Sequence, residues 1–298
     1  MARQVTVRRE PLTACPLCGS AQFSPVLQGF DFDCGTGDYQ VDQCQACGMC
    51  FTNPQPVPQD VPLLYDDRSF DELPREGSVL GKVRATRARR RLSKLAPLFP
   101  SGQLACADIG TGDGFFALQL SRMPFCASVT ASDFFPQAPA ALAQAKRARY
   151  VGYDEFFTLS DTYDVVFARF VLEHVRDPVR FIRDVRERLR PGGAIVIDVP
   201  NWRSTWRRAF GKFYSELSLP AHTNHFAPDT LRRLLSDFDV HIFEDMHGMV
   251  LRRSLGNVLG TSGARTSAGA MALLAVEMVV DTVAGPPPNM TAVARVRG

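Results

Sequence analysis

The 298-residue sequence lacks any apolar run long enough to span a bilayer. Its most apolar late segment, 268–280, is interrupted by Glu277 and falls short of the roughly 20 residues a membrane helix needs. A buried or amphipathic helix is the expectation there. The opening residues also lack the apolar stretch of a secretory leader, because Arg3, Arg8, Arg9 and Glu10 occupy it. A cytoplasmic protein is therefore expected.

Charge of one sign is not in excess: the formal net charge is +3 at pH 7, so composition names no partner. With 45% hydrophobic and 22% charged residues, the chain falls outside the disordered class. Internal repeats and low-complexity tracts are absent as well. Two folding units fit the length.

Cysteine, in contrast, is plentiful. Without a leader, eight cysteines point to a reducing compartment, where thiols bind metal or pack more often than they form disulfides. Cys15-Pro-Leu-Cys18 and Cys44-Gln-Ala-Cys47 form two Cys-x-x-Cys knuckles, each followed by glycine. Four thiolates so arranged suit tetrahedral zinc in a closed, structural site. No arginine or aromatic cluster surrounds them, which argues against a nucleic-acid module. Cys34, Cys50, Cys106 and Cys126 stay outside the set. Residues 1–53 read as a zinc-binding ribbon, 54–80 as a proline-rich linker and possible cofactor lid, and 81–298 as the catalytic unit.

From Lys82 to Lys94 a helix carries Arg84, Arg87, Arg89, Arg90 and Arg91, read as a solvated basic face leading into the core. Apolar runs then alternate with helical stretches. Strands are expected at 104–109, 128–132, 163–168 and 194–199, and a final one at 290–296. Such alternation implies a parallel sheet covered on both faces. A helix is expected over 178–189, with Asp177 as N-cap, Pro178 at its first position and Pro191-Gly192-Gly193 ending it.

Between the first strand and its helix stands Asp108-Ile-Gly110-Thr-Gly112-Asp-Gly114-Phe115. The dinucleotide fingerprint needs a third glycine where this chain has Phe115. Asp108, two residues before Gly110, would repel a pyrophosphate and favour a cation. S-adenosylmethionine carries both an ammonium and a sulfonium. Asp133, after the second strand, stands where a carboxylate can accept two ribose hydroxyls; its other reading is an N-cap.

Taken with Tyr163-Asp-Val-Val-Phe167, Val171-Leu-Glu-His-Val175 and Leu189-Arg-Pro-Gly-Gly193, which follow in order, these motifs resemble the class I S-adenosylmethionine-dependent methyltransferases. The resemblance implies an α/β, Rossmann-like seven-stranded sheet whose last strand is antiparallel. It also implies that Asp108, Gly110, Gly112 and Gly114 line the amino-acid end of the cofactor, that Asp133 holds the ribose, that Asp154 approaches the adenine, and that Leu172, Glu173 and His174 lie beside cofactor and acceptor. The front of the chain, ending Cys-Gly-x-x-Phe-Thr-Asn-Pro, is similar to the zinc ribbon of bacterial sugar, polysaccharide and natural-product methyltransferases. There a tyrosine closes over the cofactor, and Tyr65 is the match.

A hydroxyl acceptor must lose a proton, and histidine is the usual base. His222 is the first candidate and His225 the second; a structural role for either stays open. Asn201 and Trp202 are expected to face the acceptor. Sugar C-methylating relatives carry Tyr-x-Glu-His, whereas this chain has Leu219-Pro-Ala-His222. O-methylation of a small molecule, sugar or glycoconjugate is therefore expected. Sugar C-methylation and a non-catalytic binding role are the alternatives.

Overall fold

The computed structural model describes residues 6–65, 77–246, 250–260, 276, 280 and 285–297. Most of the apolar segment 268–280 and the middle of the 54–80 segment lie outside the described residues. Among the described residues, no helix is long and apolar enough to cross a membrane.

At the front, β1 (Arg9–Glu10), β2 (Phe23–Phe30), β3 (Asp38–Cys44), β4 (Cys50–Thr52) and β5 (Gln55–Pro56) build the cysteine-rich unit. The β1–β5 pair carries this unit past the expected boundary at residue 53. The segment expected to be a stiff linker is instead ordered as a 3₁₀ turn at Pro58–Leu64, with proline at its start. Proline fits there because an N-terminal position needs no N–H donor.

Helix α1 (Val79–Leu95) opens on Ser78, whose side chain accepts from the Gly81 N–H. The main sheet follows: β6 (Leu104–Ile109), α2 (Phe115–Ser121), β7 (Cys126–Asp133), β8 (Ala148–Gly152), α3 (Tyr153–Thr158), β9 (Tyr163–Arg169), α4 (Pro178–Arg186) and β10 (Leu189–Pro200). After it come α5 (Thr205–Phe210), β11 (Asn224–His225), α6 (Pro228–Leu234), β12 (Phe238–Met246), α7 (Val250–Val258) and β13 (Asn289–Val296).

The large sheet has seven strands in the order β12-β13-β10-β9-β6-β7-β8. Its central pairs are parallel, and β13 runs antiparallel to both β10 and β12. This is the fold the resemblance implies. Along β9, Val166 and Ala168 enter one buried cluster while Val165 and Phe167 enter the other. Along β10, Ile195 and Ile197 face the first, and Ala194 and Val196 the second. A sheet covered on both faces reads as a continuous apolar run, because the period of two serves two cores.

Local signals set the helix that follows β9. Asp177 accepts from the Arg180 N–H at 2.9 Å, Pro178 begins α4, and Phe181, Ile182 and Val185 are buried. The helix ends at Arg186, not at residue 189, because Leu189 already pairs with Tyr163 as the first residue of β10. Nor is the basic face of α1 wholly solvated. Arg84 binds Asp113 and lies over Phe115, and Arg91 reaches the buried Asp198.

Candidate active site

In an open α/β sheet ligands sit beyond the carboxyl ends of the strands, and the loops after β6, β7, β8 and β9 meet there. The glycine loop is pinned to β7: Gly110 N–H donates to Ser132 O at 2.8 Å and Thr111 N–H to the same oxygen at 3.0 Å. Gly110 has φ +69, and a Cβ on it would meet Val171 Cγ2 at 2.3 Å. Gly112 and Gly114 are also left-handed, with φ 55 and 72. Only glycine tolerates this run without strain.

Asp108 is buried, and its Oδ2 accepts from Thr111 Oγ1 at 2.7 Å. Burial pushes its carboxyl up to about 7, an effect that the Thr111 bond and the Arg169 charge only partly offset. Asp133 Oδ2 accepts from Gly112 N–H and Oδ1 from Phe134 N–H, both at 2.8 Å. Each oxygen keeps a further lone pair. In register, Asp133 stands opposite Gly152 at the end of β8. Asp154, two residues on, is exposed in the first turn of α3.

Tyr65 returns from the front unit to this place. Its ring lies 5.3 Å from Phe134, and its hydroxyl is 2.9 Å from His174 Nδ1. Burial, reinforced by the charges of Glu173 and Asp133, raises its phenol well above the usual range. Leu172, expected to line the cofactor, is 0% exposed and packs into the core.

Two non-glycine residues with positive φ, Phe170 (54°) and Ser218 (38°), lead into the next loops. Such conformations cost on the order of 1 kcal/mol and concentrate at functional sites. After Phe170 come Glu173 and His174; after Ser218 comes His222. One ligand-capable atom from each of these three lies within 4.8 Å of the others. The His174 and His222 rings are 4.7 Å apart, edge to face.

The hydrogen-bond network assigns the tautomers. A carbonyl can only accept, so His174 Nδ1–H donates to Ala221 O and His222 Nδ1–H to Glu216 O, each at 2.9 Å. Nε2 of each ring keeps its lone pair. Burial holds both histidines neutral, with His174 brought down to about 4 and His222 well below its ordinary value. Among the described residues neither Glu173 carboxyl oxygen has a hydrogen-bond partner, and burial raises that acid well above the carboxylate range.

His225 lies apart from this group. Its Nε2 is 3.1 Å from Thr52 Oγ1, its ring packs 5.3 Å from Trp202, and burial lowers it to about 3. Trp202 sits under Arg207, Trp206 stacks on Phe210, and the buried Asn201 amide reaches Glu244. These groups pack the fold where acceptor contacts were expected. Thr52 stands inside the Cys-Gly-x-x-Phe-Thr-Asn-Pro motif but was given no role there, because its partner His222 lies 170 residues away.

In the front unit the Sγ atoms of Cys15, Cys18, Cys44 and Cys47 all lie within 4.8 Å of one another, with Cys15 to Cys47 at 3.5 Å and Cys18 to Cys44 at 3.6 Å. Cys34 approaches Leu64 O instead, and Cys50, Cys106 and Cys126 are buried.

The profile of a methyltransferase domain matches residues 80–244, more than half of the chain. A ubiquinone biosynthesis O-methyltransferase of Caulobacter sp. is 30% identical over 164 residues, covering 50% of this chain and 62% of that protein. One from Cereibacter sphaeroides is 32% identical over 113 residues, covering 36% and 44%. The chain thus spans about half the length of the curated relatives it matches. Among solved structures, the [4+2]-cyclase SpnF shares the fold at a TM-score of 0.51 and 15% identity, covering 81% of this chain and 97% of that one. With its seven-stranded sheet, its glycine loop pinned to β7 and a matching domain profile, the chain belongs to the methyltransferase-domain family, with the class I S-adenosylmethionine-dependent architecture.

Proposed function

We propose that this protein transfers a methyl group from S-adenosylmethionine to a hydroxyl of a small-molecule, sugar or glycoconjugate acceptor, with His222 as the base. The observation that carries the reading is the neutral, buried His222, whose Nδ1–H is held by Glu216 O and which groups with Glu173 and His174. The O-methyltransferase relatives favour oxygen as the accepting atom.

The residues present fit the cofactor. The cradle at Gly110 has no room for a Cβ, and the buried Asp108 carboxyl gains a counter-charge if an ammonium sits beside it. Asp133 has lone pairs to spare for two ribose hydroxyls, while Gly112 and Gly114 let the backbone approach. Asp154 would reach the adenine side, and Tyr65 would cover the pocket. When bound, S-adenosylmethionine supplies an electrophilic methyl on a sulfonium. The chain's own work is to orient the acceptor, exclude water with Tyr65 and Phe134, and take the acceptor's proton at His222 Nε2.

The four-thiol cluster supports structural zinc. Soft, closed and tetrahedral donor sets of this kind leave no position for water. The metal would stabilise a small unit whose apolar core is slight.

Calorimetry with S-adenosylmethionine on the zinc-loaded chain and on an Asp108→Ala variant tests the reading. Binding by the intact protein and at least tenfold weaker binding by the variant are expected. No heat with the intact protein would sink the proposal.

A further inference from the structure

The front unit does more than precede the catalytic sheet. Its four-stranded sheet runs β11-β4-β3-β2, so its last strand, Asn224–His225, comes from the acceptor-side loop. Thr52, at the end of β4, is 0% exposed. Its N–H donates to Thr223 O at 3.0 Å and its hydroxyl to His222 O at 2.7 Å. A hydroxyl has one proton and two lone pairs; with the proton given to His222 O, a lone pair receives His225 Nε2–H at 3.1 Å. One buried side chain therefore fixes the backbone position of His222 and the tautomer of His225 together.

Thr52 is joined to the cysteine-bearing unit through β3. It stands opposite Val41 on β3, the strand that ends at Cys44. The cofactor loop, in contrast, takes its support from Ser132, Asp133 and Arg84. We propose that Thr52 is a positioning residue through which the cysteine-bearing ribbon sets the acceptor histidine, while the glycine loop is held by β7 and α1. This rests on the reading of His222 as the acceptor-side base.

The zinc-loaded full chain, with ¹⁵N-labelled histidine, tests it by NMR. Thr52→Val keeps the shape and removes the hydroxyl; Thr52→Ser keeps the hydroxyl. In Thr52→Val the His225 ring is expected to lose its single Nε2–H tautomer and the His222 signals to shift or broaden. S-adenosylmethionine affinity should stay within twofold, and Thr52→Ser should restore both rings. Wild-type ring signals in Thr52→Val overturn the proposal, as does a loss of cofactor affinity that accompanies their change. If the valine variant does not fold, displaced His222 and His225 signals in Thr52→Ser overturn it, and retained signals support it. The ring measurement needs neither cofactor nor acceptor, so a protein that failed to bind S-adenosylmethionine would sink the methyltransferase reading without touching this result.

Discussion

His222 donates its Nδ1–H to the Glu216 carbonyl at 2.9 Å, which commits one nitrogen to the backbone and leaves Nε2 its lone pair, in a residue that groups with Glu173 and His174. General-base catalysis contributes about 10²- to 10⁴-fold. His222→Ala should therefore lower kcat by at least about a hundredfold while leaving S-adenosylmethionine affinity within threefold, read by steady-state kinetics beside calorimetry. His225→Ala, on the Thr52 side, should lower thermal stability more than it lowers kcat.

With Asp108 as the proposed counter-charge to the cofactor's ammonium, cofactor binding should depend on pH. The Asp108 carboxyl is pushed up to about 7, so at pH 6 much of it is neutral and a bound cation lacks its counter-charge. Affinity should rise from pH 6 as the Asp108 carboxylate forms and fall again above about pH 8 as the cofactor's α-ammonium loses its proton. Asp108→Asn should bind weakly and lack the rise on the acid side; an unchanged acid-side slope would assign the ionisation elsewhere.

Glu173 makes an opposite demand on stability. Burial raises its pKa in the folded state, so the folded protein holds a proton that the unfolded chain releases above roughly pH 4.3. The stability this group contributes is present below the unfolded pKa and declines as pH rises toward the folded one. Glu173→Gln, neutral at every pH, should gain stability relative to the wild type as pH rises from 5 to 8. Denaturant melts at several pH values measure the slope of that difference.

Asp198 is buried between two arginines, with Arg91 at 2.5 Å and Arg169 at 2.7 Å, and also accepts from Thr291. Replacing one partner of a buried charge group costs about 3–5 kcal/mol. Asp198→Asn should lose on that order in urea unfolding and loosen α1 from the sheet, which hydrogen exchange along Val79–Leu95 would detect.

The glycine loop and the strands beside it were largely legible in the sequence, because these elements are local. Gly110 to Gly114 follow β6 directly, and Asp133 closes β7. The edge strands were harder to find. The five residues of β8 include Arg149 and Tyr150, and the alternation in β12 belongs to an edge whose partner, β13, comes more than 40 residues later. His222 and His225 are three positions apart and chemically identical in the sequence. Tertiary contacts separate them: Glu216 O and the His174 ring at His222, Thr52 and Trp202 at His225. Thr52 stands in a motif that says nothing of its partners, since its bonds exist only once the front unit lies against the 222–225 loop.

The sharing of β11 between the two halves makes them poor candidates for exchange as modules. A ribbon excised near residue 56 would expose the β4 edge that Asn224–His225 now covers, and bare edges invite unwanted strand pairing. A grafted ribbon would have to bring a matching 222–225 segment with it. Changes in the cysteine unit and in the acceptor loop are thus constrained to occur together, while the glycine loop takes its constraints from β7 and Val171.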